Sequence, residues 1–171
     1  SGNTGPARGV IPFLQEALAL LPEGTWIRTV RADSGFFDGG FLDFLEQRAL
    51  PYVVVARLTS TLKHRCAGIK QWTVIDEHHD AGEFTVKLFG WAQDRRFVVV
   101  RERLRETKAA VGRRLLDVPG YTFRVWVTNR KESALELWRD YNGRSGIEQR
   151  IAPLNPHLPA ATFCLRERSA R

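Results

Sequence analysis

The 171-residue sequence contains no methionine and only two cysteines. Because even an initiator methionine is missing, we expect either a processed start or a piece of something longer. The cysteines, Cys66 and Cys164, lie far apart and form no Cys-x-x-Cys pair, which excludes a disulfide framework and fits a reducing cytosol. No apolar run approaches the roughly 18–20 residues of a membrane span, and no signal-peptide pattern opens the chain.

Lysine is scarce as well, because the 26 basic residues are arginines except for Lys63, Lys70, Lys87, Lys108 and Lys131. Against 19 acids they give a net charge of +7 and a pI near 10.0. Arginine suits planar, bidentate contacts with phosphate, and a pI above about 9 is typical of nucleic-acid binders. A well-solvated basic surface explains the charge equally well, so charge alone leaves both alternatives open.

The apolar content of 43%, with ten Phe and five Trp, is enough for the core of about one domain. Helical spacing over residues 10–21 is followed by a β-like segment over 26–32. A helix capped by Asp38 then leads to an unbroken apolar run over 52–56. This strand–helix–strand unit of about 30 residues predicts a parallel βαβ crossover.

The pattern changes to antiparallel β from about Leu62 to Val127, with a hairpin turn expected at 80–82. A last helix is predicted to begin at Ser133, because Ser133 and Glu136 form a capping box before apolar residues. We therefore predict an α/β domain over 1–155 that contains the β-rich region, followed by a mobile tail over 156–171.

Asp33 is the first candidate for a chemical role, because it directly follows the first strand of the βαβ unit. In open α/β sheets, ligand sites lie at the carboxyl ends of the strands, so this position favours a site. An Asp before Ser-Gly is also a common cap of the following turn. The residues alone favour that structural alternative.

A second group of candidates lies on the last helix, in the segment Tyr141-Asn-Gly-Arg144-Ser-Gly-Ile-Glu148. Tyr141 and Glu148 are about two helical turns apart and share a helix face. Arg144 lies between them on nearly the same stripe. A structural ion pair on an amphipathic helix explains this stripe without any site, and the residues alone favour that alternative too.

Together, the segment 31–36 and the Tyr-x-x-Arg-x-x-x-Glu motif about 115 residues later resemble a bacterial insertion-sequence DDE transposase. The resemblance is to the group with a Tyr–Arg–Glu–Lys signature and a β-rich insertion, and it extends from about Gly2 to Pro153. It implies an α/β fold, namely a truncated ribonuclease H-like sheet with an antiparallel β insertion over about 62–127. The implied partner is DNA at transposon ends, in the cytoplasm of a bacterium and associated with the nucleoid.

The resemblance also implies the roles of the candidate residues. Asp33 and Glu148 would be catalytic carboxylates that bind divalent cations, usually two Mg²⁺ ions, for phosphoryl transfer. Tyr141 and Arg144 would hold the DNA backbone near the site. We expect neither a membrane nor a small-molecule substrate. A non-catalytic DNA- or partner-binding remnant, or a nuclease of the same fold, is the alternative.

Two departures from the family pattern shape these expectations. Asn155 stands where the signature has its Lys, and Ser1–Gly9, which precedes the first helix, contains no acid for the first catalytic Asp. We therefore expect the C-terminal part of a catalytic domain that is inactive in isolation. The loss of neighbouring strands is expected to expose an edge of the strand at 26–32, which predicts self-association.

Overall fold

The computed structural model describes residues 6–104, 120–142 and 164–168, which form one seven-stranded sheet with helices on both faces. The helices are α1 (Pro6–Ala19), α2 (Gly39–Gln47), α3 (Ser60–Ala67) and α4 (Ala134–Asn142). The strands are β1 (Trp26–Ala32), β2 (Tyr52–Val55), β3 (Thr73–Val74), β4 (His79–Val86), β5 (Arg95–Arg103), β6 (Tyr121–Thr128) and β7 (Cys164–Arg168). None of the helices within these ranges is long and apolar enough to cross a bilayer.

The strands are ordered β3-β4-β5-β6-β2-β1-β7 across the sheet. β1 and β2 run parallel, with Val30 opposite Tyr52 and Ala32 opposite Val54, and every other neighbouring pair is antiparallel. The predicted parallel βαβ unit is therefore confirmed as β1–α2–β2, and the mixed α/β class is confirmed with it.

The larger core lies on the sheet face that α1, α2 and α3 cover. α2 begins where Asp38 caps it, because Asp38 Oδ1 accepts a hydrogen bond from the Phe41 backbone N–H at 3.1 Å. The apolar face of α2 then buries Phe41, Leu42 and Leu45 completely. A capped amphipathic helix over a buried parallel pair thus forms the centre of the fold.

A smaller core lies on the opposite face, under α4. The predicted capping box is confirmed, because Ser133 N donates to Glu136 Oε2 at 2.9 Å and Glu136 N donates to Ser133 Oγ at 3.3 Å. Leu137 of this helix is buried against Trp126 of β6 and Val98 of β5. The predicted continuation of the helix beyond Asn142 lies outside the described residues.

The region over 62–127 extends the sheet that contains the βαβ unit. β6 pairs directly with β2, with Val127 opposite Val54, so its strands continue the sheet of the βαβ unit. Its first residues belong to α3, where the sequence predicts antiparallel β. Apart from this helix, the described strands of the region, β3 to β6, are antiparallel as predicted, and the bounds of the insertion stay a prediction.

The predicted hairpin turn at Asp80-Ala81-Gly82 is also wrong, because these residues lie inside β4 and pair with β5. Gly82 serves close packing here rather than a turn. A Cβ at this position would lie 3.0 Å from Ile69 Cγ2 and 3.2 Å from Trp72 Cε3. Glycine inside a strand commonly marks such a close approach.

The structure also corrects the expectation of a mobile tail. Residues Cys164–Arg168 form β7 and pair antiparallel with β1, with Leu165 opposite Val30, where the sequence predicts a patternless, mobile tail. Both edges of β1 are consequently paired, by β2 on one side and by β7 on the other. The exposed β1 edge from which we predicted self-association is thus absent from the described structure, although self-association itself stays a prediction.

Candidate functional site

Asp33 lies at the end of the sheet where the parallel strands β1 and β2 both finish. Its backbone is extended, and its Oδ1 accepts a hydrogen bond from the Gly35 backbone N–H at 2.8 Å. This bond caps the 3₁₀ turn at Ser34–Phe36, as the structural alternative predicts. Asp33 is nevertheless partly exposed, and its Oδ2 has no hydrogen-bond partner among the described residues, so capping leaves one oxygen available.

Strand alternation sets the face of the sheet on which Asp33 lies. Val30 and Ala32 are fully buried in the core under α1, α2 and α3, whereas Arg31 pairs with Asp140 of α4 on the other face. Successive residues of an extended chain alternate between faces. Asp33, two residues beyond Arg31, therefore belongs to the α4 face.

Tyr141 lies on this same face, in the last described turn of α4. Its ring packs on Trp126 with the ring centroids 5.4 Å apart, and Trp126 pairs with Val55 at the end of β2. The register of β1 against β2 brings Asp33 level with Val55 as well. Since β6, β2 and β1 are neighbours, Trp126 under Tyr141 and Asp33 lie at the same level of one face of the sheet.

The remaining predicted site residues, Arg144 and Glu148, lie outside the described residues. No group of three or more His, Cys, Asp and Glu side chains that would hold a metal ion occurs in the described ranges. The structure therefore places Asp33 on the sheet face that α4 and Tyr141 cover, and it describes one of the two predicted metal-binding carboxylates.

Sequence reasoning missed a buried ionic cluster between α4 and β1. Asp140 accepts hydrogen bonds from two arginines, through Oδ1 from Arg31 and through Oδ2 from Arg130 Nη1 at 2.6 Å. The side chains of Arg31 and Arg130 are only 6% and 7% exposed. Arg130 also binds Glu132 Oε1, at 2.6 Å. The sequence carries no local signal for this cluster, because Arg31 and Asp140 are 109 positions apart.

The arginine partners of Asp140 keep its carboxyl group ionised. Burial of the carboxyl raises its pKa, but the hydrogen bond from Arg130 and the positive charges of Arg31 and Arg130 outweigh burial and hold the pKa below its ordinary value. Asp140 is therefore ionised at neutral pH. It fixes the turn that carries Tyr141 against the strand that ends at Asp33.

A cavity lined by paired charged groups lies at the other end of the sheet, away from Asp33. It measures about 540 Å³, and Glu46, Tyr52 and Arg95 contribute to its lining. These groups are paired with one another, because Arg95 Nε donates to Glu46 Oε1 at 2.8 Å and the Tyr52 hydroxyl donates to the same oxygen at 2.6 Å. Because these groups neutralise one another, we interpret the cluster as stabilising the fold rather than as binding a ligand.

Comparison with known proteins gives one finding about family. The family model of the transposase DDE domain matches residues 1–169, which include both Asp33 and the Tyr-x-x-Arg-x-x-x-Glu motif. Comparisons with curated proteins and with solved structures gave no match.

Proposed function

The chain belongs to the transposase DDE-domain family, and we propose that it takes part in cutting and joining DNA at insertion-sequence ends by metal-dependent phosphoryl transfer. The observation that supports this is the position of Asp33 on the sheet face that α4 and Tyr141 cover. The sheet would then be the core of a ribonuclease H-like fold. The protein would act on DNA in the bacterial cytoplasm, in association with the nucleoid.

Asp33 and Glu148 would hold the divalent cations, usually Mg²⁺. The chemistry of Asp33 fits this role, because its Oδ2 has no partner among the described residues and hard cations prefer carboxylate oxygens. When bound, such cations activate an attacking water or 3′-hydroxyl and stabilise the leaving oxygen. The cap at Oδ1 would orient the carboxylate toward that task.

Tyr141 and Arg144 would position the DNA backbone. The Tyr141 ring rests on Trp126, and the neighbouring Asp140 anchors the helix on β1, so the phenol is presented from a fixed turn. Arg144 follows three positions later in the sequence and would add a charge-assisted contact with phosphate. Contacts of this kind orient DNA without reading its sequence.

DNA binding with and without metal tests this proposal. We expect the protein to bind a duplex about tenfold more tightly in Mn²⁺ than in EDTA at equal ionic strength, a gain of about 1.4 kcal/mol, because a cation held by Asp33 would neutralise the carboxylate charge that repels phosphate. Asp33→Asn keeps an oxygen that can cap the turn but removes the charge, so we expect this gain to disappear.

Asp38→Asn is the matched control, because Asp38 also caps a helical turn through Oδ1 and loses the same charge. This variant should keep the metal-dependent gain in affinity. A wild-type affinity that is equal in Mn²⁺ and EDTA, or a gain that survives Asp33→Asn, would contradict the proposal. Either result would favour the alternative, a non-catalytic DNA- or partner-binding remnant in which Asp33 only caps the turn.

A polypeptide of these 171 residues should not cleave DNA on its own. No Asp precedes Asp33 in the sequence, so only two of the three expected carboxylates are available for two cations. An assay of plasmid nicking in Mg²⁺ and Mn²⁺ measures this. Metal-dependent cleavage that Asp33→Ala abolishes would show that the isolated chain is active after all.

A further inference from the structure

The chain between Glu46 and Asp76 contains no acidic residue. Its basic residues are Arg48, Arg57, Lys63, Arg65 and Lys70. This is the longest acid-free stretch of the sequence. α3 (Ser60–Ala67) lies in the middle of this stretch, so the positive charge is concentrated around one element.

This element lies at the same end of the sheet as Asp33. α3 follows β2 after a short connection and is anchored by Leu62 and Cys66, which are buried in the core under α1, α2 and α3. Arg57 in that connection donates from Nη2 to the Phe37 carbonyl oxygen at 3.1 Å. This hydrogen bond ties the connection to the chain that follows Asp33.

Three of these basic side chains, Arg57, Arg65 and Lys70, are exposed and pair with no carboxylate among the described residues. We call them the α3 basic surface. Unpaired exposed charges of one sign attract a polyanion and raise its rate of association. The α3 basic surface therefore has the electrostatic character of a phosphate-binding face.

At the opposite end of the sheet, three arginines are neutralised by carboxylates. Arg95 pairs with Glu46 at 2.8 Å, Arg96 pairs with Glu83, and Arg130 pairs with Glu132 at 2.6 Å. Lys87 and Lys131 at that end are exposed and pair with no carboxylate among the described residues, so they provide the comparison for the α3 basic surface.

We propose that the α3 basic surface binds backbone phosphates of duplex DNA beside Asp33. Tyr141 lies on the α4 face and α3 packs on the other face, so DNA crossing this end of the sheet would be held from both sides of Asp33. The contacts would be independent of sequence, as Arg and Lys contacts with phosphate are. This inference rests on the proposed function and names the surface that holds its DNA.

The salt dependence of DNA binding in EDTA tests the surface. We expect the double variant Arg65→Gln/Lys70→Gln to bind a fluorescent duplex about tenfold more weakly at low salt. We also expect the slope of log affinity against log salt to flatten by about 1.8, since each lost phosphate contact contributes about 0.9. Circular dichroism would verify that the variant is folded.

The control is Lys87→Gln/Lys131→Gln, which removes the same charge from exposed positions at the opposite end of the sheet. It should leave the slope nearly unchanged. Equal slopes for the two double variants, or no binding of duplex by the wild type in EDTA, would overturn the proposed surface.

The two proposals can be contradicted separately. The α3 basic surface is tested in EDTA, which removes any cation from Asp33, whereas the role of Asp33 is tested by the gain in Mn²⁺. A surface variant without effect, together with a Mn²⁺ gain that depends on Asp33, would overturn the surface and leave the proposed function standing. A flattened slope together with no Mn²⁺ gain would support the surface and contradict the role of Asp33.

Discussion

Asp140 is the residue on which the packing of α4 against β1 most depends, because it pairs with two buried arginines at once. Removing one partner of a buried ion pair leaves an uncompensated charge, which costs about 3–5 kcal/mol. We predict a loss of this size in the free energy of unfolding for Asp140→Asn, measured by urea denaturation. Arg139→Gln, at the exposed neighbouring position, should stay within about 0.5 kcal/mol of the wild type.

The same carboxyl predicts a pH dependence. Its pKa is lowered in the folded chain from an ordinary value of 3.8, so its stabilisation is complete above about pH 4 and is lost as the pH falls through the lower folded value. We predict that the stability difference between wild type and Asp140→Asn narrows below about pH 4. Urea denaturation at several pH values measures this, and a difference that is constant down to about pH 2 would contradict it.

The reactivity of the Cys66 thiol tests whether α3 packs on the core. Burial raises the pKa of its thiol to about 11, and the thiolate is the reactive form. In a Cys164→Ser background we therefore predict slow labelling of the folded chain by a thiol reagent at neutral pH, with rapid labelling after unfolding. Equal labelling rates in both states would show that α3 does not pack as described.

At the scale of elements, the N-terminal cap of α4 governs the helix that presents Tyr141. Ser133 Oγ accepts a hydrogen bond from Glu136 N, and loss of such a cap typically costs about 1 kcal/mol. We predict that loss for Ser133→Ala in urea denaturation. Ser60→Ala is the control, because the hydroxyl that caps α3 belongs to Thr59, and it should cost clearly less.

Elements with local signals were predictable from the sequence. The bounds predicted for the strand at 26–32 are confirmed, because apolar and β-branched residues are concentrated there. The caps at Asp38 and Ser133 are confirmed as well. Capping depends on hydrogen bonds within one turn, so it can be seen in a window of four residues.

Elements that depend on distant partners were not predictable. α3 buries only Leu62 and Cys66, so its helical periodicity is faint within a polar stretch. β7 exists through pairing with β1, whose sequence lies more than a hundred residues away. Pairing between strands this far apart in the sequence leaves no signal in the local residue pattern. Tertiary context then overrides the local β propensity.

At the scale of the whole molecule, the candidate site was only partly visible in the sequence. The position of Asp33 follows from the rule that sites lie at the carboxyl ends of parallel strands. The ionic cluster of Arg31, Arg130 and Asp140 appears only once the strands are assembled. The sequence thus predicted which residues are candidates for the site, and the structure showed which side chains surround them.

The account depends most on Asp33 being a metal-binding carboxylate as well as a turn cap. Calorimetric titration of the protein with Mn²⁺, in the absence of DNA, measures this directly. We predict a binding isotherm for the wild type that weakens by at least about tenfold in Asp33→Asn and in Glu148→Gln, about 1.4 kcal/mol each, but not in Asp38→Asn. No Mn²⁺ binding by the wild type, or an isotherm that Asp33→Asn leaves unchanged, would contradict the account.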